Sequence, residues 1–149
     1  MFPLPPAMRA ALDAARAAGR DGEVPVGAVV TRAGAIVSIA ANAPRRLCDP
    51  TAHAEILAIR AASVTLGRDR LGDCDLWVTL EPCAMCAGAI AHARLGRVFY
   101  GADDPKGGAI EHGPRFFTQP TCHHRPELYS GIGAIEAGAL LRAFFAERR

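Results

Sequence analysis

Two short segments of this 149-residue chain carry the side chains of a hydrolytic zinc site. His53 and Glu55 are in the first segment, and Cys83 and Cys86 are in the second. An imidazole and two thiolates supply three protein ligands, and a catalytic zinc site combines three such ligands with one open position for water. Zinc acidifies that water, and a carboxylate such as Glu55 then takes its proton. The pattern predicts metal-assisted hydrolysis with Glu55 as the catalytic proton carrier, and the predicted ligands are His53, Cys83 and Cys86.

Both segments have the composition of helix starts. Thr51 is a good N-cap for a helix that continues to about Ser63, and Pro82 suits the first position of another helix. Cys83 and Cys86 are three residues apart, so their thiols point to one face of that helix. The partial positive charge of a helix N-terminus lowers the pKa of a thiol toward the thiolate that a metal binds. The apolar stripe predicted for the helix that starts at Thr51 consists of Ile56, Ile59 and Ala62.

The rest of the pattern predicts strands that alternate with helices. Segments 24–30 and 36–41 indicate a hairpin around a turn at 32–34, and the apolar run 76–80 is typical of a central strand buried on both faces. Strands interleaved with helices indicate an α/β fold with a mixed sheet, in one domain over residues 1–149. The other predicted elements are a helix over 7–18, a strand over 97–100, a long loop over 102–126, an extended piece near 128–129 and a helix over about 134–147.

Composition and charge narrow the class of protein. The net charge of +2 neither requires nor excludes nucleic acid, although basic residues gather in segment 106–125 and near the C-terminus. No apolar run approaches the roughly 20 residues of a membrane-spanning helix, and the N-terminus lacks the features of a secretory signal. Five cysteines, an odd number, argue against a disulfide framework. We therefore expect a cytoplasmic protein with no membrane partner.

The cysteines allow other interpretations as well. Cys74 is expected to be a small buried hydrophobic residue, whereas polar neighbours leave the roles of Cys48 and Cys122 open. The Cys83–Cys86 pair alone would also suit a thioredoxin-like redox site, because it follows a strand and opens a helix. The H-x-E segment, which opens a helix of its own, makes a redox pair or a purely structural metal the weaker interpretation.

The order H-x-E followed by P-C-x-x-C is typical of zinc-dependent nucleobase deaminases. On these residues the chain resembles the cytidine deaminase-like superfamily, and within it the bacterial tRNA-specific adenosine deaminases. The resemblance covers most of the chain. It rests on the segments EVPVGAV (23–29), DPTAHAEI (49–56), VTLEPCAMCAG (78–88), GADDPKG (101–107) and LLRAFF (140–145).

That resemblance implies a fold, a reaction and partners. The fold would be a three-layer α/β/α arrangement with a central mixed five-stranded sheet flanked by helices. The protein would be a zinc-dependent hydrolase with one Zn²⁺ per subunit, converting adenosine to inosine at the wobble position of tRNA. Its partner would be the anticodon arm of a tRNA. It would act as a homodimer in which each subunit completes the RNA surface of the other.

The resemblance also assigns roles to individual residues. His53, Cys83 and Cys86 match the metal ligands of the family, and Glu55 matches its proton shuttle. The residues that match substrate-binding positions are Asn42, the backbone N–H of Ala54, Val26 and Asp104. Two of these have simpler explanations, with Asn42 as a residue that ends a strand and Asp104 as a turn former before Pro105. Phe144 or Phe145 would either stack on a base or pack in the core.

Other functions stay open at this point. Segments 109–117 and 120–124 depart from the family pattern in the loop expected to contact RNA. The same catalytic machinery would serve a small-molecule aminohydrolase acting on guanine, cytosine or a free nucleoside. A non-catalytic zinc-binding partner of RNA is a third interpretation, but a structural metal site has no use for an unligated carboxylate at Glu55.

Overall fold

The computed structural model describes residues 3–148 of the chain. In chain order the elements are α1 (Pro6–Arg20), β1 (Gly27–Arg32), β2 (Ala35–Ala41), the short α2 (Pro44–Leu47), α3 (Ala54–Leu66), β3 (Cys74–Leu80), α4 (Ala84–Ala93), β4 (Arg97–Ala102), β5 (Glu127–Tyr129) and α5 (Ala134–Ala146). A 3₁₀ turn over Phe116–Thr118 interrupts the long loop between β4 and β5. None of the helices in the described part of the chain is long and apolar enough to cross a membrane.

The five strands form one mixed sheet in the order β2-β1-β3-β4-β5. β1 is antiparallel to β2 and β3, whereas β3, β4 and β5 are parallel. The hairpin turn contains Ala33 and Gly34 at φ values of 50° and 81°, the left-handed backbone that a tight hairpin requires. β3 is the central strand, as predicted. Its carboxyl end leads to Glu81 and Pro82, at the edge where α/β sheets bind their ligands.

Helices cover both faces of the sheet. α1 and α5 pack on one face in a cluster that includes Met8 and Val29, and α3 and α4 pack on the other face around Val30, Leu76 and Ile90. Val29 and Val30 lie on opposite faces because successive side chains of a strand alternate. The predicted three-layer α/β/α fold with a mixed five-stranded sheet is therefore confirmed.

α1 lies so close to the sheet that only glycine fits at the start of β1. A Cβ on Gly27 would be 1.9 Å from the carbonyl oxygen of Ala11. α5 is tied to α1 by the Glu136 carboxylate, which accepts hydrogen bonds from Arg9 at 2.7 Å and Arg16 at 2.9 Å. Solvent screens such exposed ion pairs, so the apolar cluster dominates this packing.

The two helices that carry the predicted site begin later than the sequence suggested. α3 begins after His53 rather than Thr51, because the hydroxyl and N–H of Thr51 both donate to Asp49, at 2.7 and 2.8 Å. Pro82 precedes the N-cap residue Cys83 and so does not occupy the first helical position. The fully buried stripe of α3 is Ala54, Ala58 and Ala62, whereas the predicted Ile56 and Ile59 are only half-buried.

Elements away from the site differ from the prediction in smaller ways. β1 begins at Gly27 rather than at residue 24, because Pro25 has no N–H to donate to a strand ladder. α1 continues through Gly19 to Arg20. Cys74 is buried, as predicted, while Cys48 is exposed and Cys122 is half-buried.

Candidate metal centre and active site

The two predicted segments meet at the starts of neighbouring helices. β3 ends at Leu80 and the chain turns through Pro82 into α4, while α3 packs beside α4. His53 is the N-cap residue of α3, and Cys83 is the N-cap residue of α4. The N-termini of both helices therefore face one place, and Cys86 follows within the first turn of α4.

The three predicted ligands have the spacing of a tetrahedral zinc site. The ligand atoms of His53, Cys83 and Cys86 all lie within 4.8 Å of one another. His53 Nδ1 is 3.6 Å from Cys83 Sγ and 3.5 Å from Cys86 Sγ. Zinc bonds of about 2.3 Å to sulfur and about 2.0 Å to nitrogen, at a tetrahedral angle, separate those atoms by about 3.5 Å. Residues 3–148 contain no second cluster of three such side chains.

Hydrogen bonds inside the cluster prepare it for a cation. The Cys86 thiol donates to Cys83 and so lowers the pKa of Cys83 to about 4. The same hydrogen bond raises the pKa of Cys86, and the contact with Cys83 raises the pKa of His53. Cys83 therefore gives up its proton readily, and a divalent cation bound by the cluster would displace the protons that remain. Two sulfurs and an imidazole suit zinc rather than magnesium or calcium, which prefer oxygen ligands.

Glu55 lies in the first turn of α3, beside this cluster and outside it. The residue is only 4% exposed. Desolvation raises its pKa to about 7, and the negative charge of Cys83 acts in the same direction. A buried carboxyl group with a pKa near neutrality is suited to accept and return a proton. The structure therefore brings together all four residues that the sequence predicts, with the carboxylate separate from the ligands.

Three of the predicted substrate-binding residues are neighbours. The Asn42 N–H donates to the Val26 carbonyl at 3.0 Å, and the Ala54 N–H donates to Asn42 Oδ1 at 2.9 Å. Val26 and Ala54 are buried in the same apolar cluster. Asn42 thus satisfies one of the N–H groups left unpaired at the start of α3, and its Nδ2 remains to donate to a ligand. The Ala54 N–H, in contrast, is already engaged.

Asp104, the fourth predicted contact, forms a turn. Its Oδ1 accepts the N–H groups of Lys106 at 3.2 Å and Gly107 at 3.0 Å. Its own N–H donates to Glu81 Oε1 at 3.1 Å. Asp104 therefore has the turn-forming role that the simpler explanation assigned to it, and its contact with a substrate stays a prediction.

Glu81 is a residue whose importance the sequence interpretation missed. Its side chain is completely buried. Burial alone would raise the pKa of this carboxyl group, but hydrogen bonds from the Asp104 N–H, the His112 ring and further loop N–H groups hold the pKa of Glu81 below its usual value. The signal in the sequence was an acidic residue between an apolar strand and a metal-binding segment, where a charge is tolerated only if it is hydrogen-bonded.

Comparison with known families agrees with the fold and the site. Residues 5–102 match the cytidine and deoxycytidylate deaminase zinc-binding region. This range contains the three predicted ligands and Glu55. The chain therefore belongs to the cytidine and deoxycytidylate deaminase family, a class of zinc-dependent hydrolases.

Individual relatives show which members of the family the chain is similar to in sequence and structure. The chain is 55% identical over 142 residues to the tRNA-specific adenosine deaminase of Agrobacterium fabrum. The alignment covers 95% of this chain and 93% of the relative. A solved structure from work on A-to-I editing by tRNA:A34 deaminases at the wobble position superposes with a TM-score of 0.90 at 54% identity, over 91% of this chain and 98% of that one. Guanine deaminase of Bacillus subtilis has a TM-score of 0.65 at 34% identity, over 95% of this chain and 91% of that one. Within the family the chain is thus similar to tRNA-specific adenosine deaminases over nearly its whole length.

Proposed function

We propose that this protein converts adenosine to inosine at the wobble position of a tRNA by hydrolytic deamination, in a single catalytic domain over residues 1–149. The observation that carries the proposal is a buried carboxyl group beside one imidazole and two thiols with zinc spacing. The chain that holds this arrangement is 55% identical to a tRNA-specific adenosine deaminase. Deamination exchanges an amine for an oxygen of water, which is the hydrolysis that such a site favours.

The metal ligands in this proposal are His53, Cys83 and Cys86, which would hold one zinc ion per subunit. Bound there, zinc supplies Lewis-acid activation of water at neutral pH. His53 would coordinate through Nδ1, the ring atom that faces the two sulfurs. The N-termini of α3 and α4 add partial positive charge, which favours the thiolate form of both cysteines.

Glu55 is the proposed proton carrier. Its carboxyl group has a pKa of about 7 because burial disfavours the charged form. At neutral pH such a group accepts a proton from water and returns it to a ring nitrogen or to the departing amine at little cost in either direction. The stem of Glu55 is fixed in the first turn of α3, so the proton is exchanged at a defined place.

The nucleoside would bind between Asn42 and the residues beside it. The base packs against the Val26 side chain and the backbone at Ala54, while Asn42 donates through Nδ2. Asp104 lies on the loop after β4 and would contact the flipped nucleotide. A nucleotide reaches such a pocket only after leaving its stack, which costs least in a single-stranded segment such as an anticodon loop.

The anticodon arm of tRNA is the proposed partner. The loop between β4 and β5 carries exposed basic side chains at Lys106, Arg115 and Arg125, which suit phosphate contacts. Phe144 is a core residue, 8% exposed and covered by the Arg148 guanidinium 3.5 Å from its ring centroid. Phe145 is 48% exposed, so it is the ring available to stack on a base.

We also propose that the protein acts as a homodimer in the cytoplasm, where tRNA is available. α3 and α4 border a groove of about 460 Å³ whose apolar lining is Ile56, Ile59, Ala89 and Ala93. A second copy of the chain seated on this groove would cover these side chains close to both metal centres. Sedimentation of the purified protein should give the mass of two chains, and a fully active monomer would remove this part of the proposal.

The direct test of the reaction uses zinc-loaded protein and an unmodified tRNA transcript with adenosine at the wobble position. Inosine at that position supports the proposal. Intact adenosine, under conditions in which the same preparation deaminates a free base, rejects it.

A small-molecule aminohydrolase is the second candidate, favoured by the 34% identity to guanine deaminase of Bacillus subtilis. Salt distinguishes the two functions because RNA is bound through phosphates, whereas a neutral base is not. The KM for tRNA should rise more than about tenfold between about 50 and 200 mM salt. A salt-independent KM together with turnover of free guanine would favour the second candidate.

A further inference from the structure

We propose that Glu81 is a positioning residue that fixes the loop 103–112 beside the metal centre, so that the RNA meets one arrangement of this loop. The inference rests on the proposed function. It assigns a role to a buried carboxylate that neither binds the metal nor moves a proton.

The hydrogen bonds of the Glu81 side chain all connect it to this loop. Oε1 accepts the Asp104 N–H at 3.1 Å and pairs with His112 Nδ1 at 2.8 Å. Oε2 accepts the N–H groups of Ile110, Glu111 and His112 at 3.0, 3.0 and 3.2 Å. A carboxylate offers about four acceptor sites, so these contacts use its whole capacity. The Glu81 carboxylate is therefore fully engaged by the loop and has no acceptor site left for a ligand.

Close packing at Gly108 supports the same role. A Cβ at this position would lie 2.5 Å from both Cδ and Oε2 of Glu81 and 2.6 Å from the Asp104 carbonyl oxygen. The loop therefore passes the carboxylate at a distance that only glycine permits. Any other residue at 108 would have to move the loop away from Glu81.

The loop and the metal centre share one short segment of chain. The Glu81 N–H donates to the Ala102 carbonyl at 2.9 Å, and the Pro82 carbonyl accepts the Ala109 N–H at 2.9 Å. Cys83, a proposed ligand, is the next residue. A shift of the loop relative to Glu81 would therefore move Asp104, the proposed substrate contact on this loop, relative to the zinc ligands. A misplacement of about 1 Å costs on the order of 100-fold in rate.

The test compares wild type with Glu81→Gln. The amide replaces one acceptor oxygen with a donor while size is kept, so either the Asp104 N–H or the N–H groups of residues 110–112 lose their acceptor. We expect one zinc per chain as in wild type and kcat/KM for tRNA about 100-fold lower, divided between a higher KM and a lower kcat. Either the amide hydrogen of residue 104 or those of residues 110–112 should exchange at least about tenfold faster, depending on which oxygen the amide nitrogen replaces.

A second variant guards against a simple folding defect. Gly108→Ala leaves the Glu81 carboxylate unchanged but forces the loop away, so it should show the same decrease in kcat/KM and the same faster exchange. Gly72→Ala is the matched control, since its Cβ would have only an ordinary contact, 3.7 Å from the Arg94 carbonyl oxygen. It should behave as wild type.

Three results would overturn the proposal. Unchanged kcat/KM and exchange in Glu81→Gln would mean that the loop does not depend on this carboxylate. A lower melting temperature with unchanged kcat/KM would assign Glu81 to fold stability alone, and loss of zinc would assign it to the metal centre. If wild type makes no inosine, the proposed function fails, while the exchange measurement still decides whether Glu81 holds the loop.

Discussion

The metal centre and the loop 103–112 lie on either side of the same segment, Glu81-Pro82-Cys83, yet they are built differently. Each donor of the metal centre has a local cue, an N-cap position for His53 and Cys83 and the C-x-x-C spacing for Cys86, although His53 and Cys83 meet across 30 residues of chain. The loop is held by Glu81 through residues 23 to 31 positions away in the chain. Both regions therefore depend on long-range contacts, but only the donors of the metal centre are marked by short sequence patterns.

The largest effect should come from removing a metal ligand. Cys86→Ala leaves two donors, so we expect loss of zinc and of all detectable inosine formation, together with a lower melting temperature. Metal analysis and a tRNA deamination assay check this. Cys48→Ala, at an exposed cysteine, is the control and should keep both zinc and activity. A Cys86→Ala protein with a full complement of zinc would contradict this set of ligands.

The next largest effect should separate the carboxylate from the ligands. Glu55→Gln should retain one zinc per chain and lower kcat by about 10²- to 10⁴-fold, because an amide cannot carry the proton. Glu147→Gln, at an exposed acid just after α5, serves as its control. A kcat in Glu55→Gln close to that of wild type would contradict the role of Glu55 as the proton carrier.

A smaller effect is expected on the substrate side. Replacing Lys106 and Arg115 with alanine should raise the KM for tRNA several-fold and leave zinc and kcat unchanged, because both side chains are exposed cations of the loop. The salt dependence of log KM should become shallower by about 1 for each phosphate that the variant no longer binds. Arg70→Ala is the control, because Arg70 is exposed and precedes the amino end of β3, away from the loop. It should change neither the KM for tRNA nor the salt dependence. If the variant without Lys106 and Arg115 has a lower kcat and an unchanged KM, these side chains act on the reaction and not on tRNA binding, which would contradict the prediction.

The smallest effect concerns pH and the Glu81–His112 pair. The hydrogen bond to Glu81 raises the pKa of His112 above its usual value of 6.5. The pair therefore contributes stability that is complete below about pH 6.5 and is lost as pH rises through the pKa of the folded state. The difference in melting temperature between wild type and His112→Gln should be larger at pH 6 than at pH 8.5. A difference that grows with pH would contradict this sign.

The same contrast explains what the sequence could predict. The sheet, the helices and the identity of the donors His53, Cys83 and Cys86 follow from residue periodicity and motif spacing, because these patterns lie within a few residues. Resemblance to a family added the five-stranded, three-layer fold. Periodicity and spacing alone gave only a mixed α/β sheet.

Other features escaped prediction for a physical reason. Thr51 has a high preference for N-cap positions, but its hydroxyl is engaged by Asp49, and Asn42 from 12 residues upstream satisfies the Ala54 N–H instead. Glu81 was missed because its partners lie in a loop without regular structure. No short-range pattern indicates contacts of that kind.

The most direct test of the central claim is mass spectrometry of the wobble nucleoside after reaction in water labelled with ¹⁸O. Hydrolysis at a centre formed by His53, Cys83, Cys86 and Glu55 predicts inosine that carries one solvent oxygen, formed by zinc-loaded wild type and not by Cys86→Ala. Unchanged adenosine, or inosine without the label, would contradict the account.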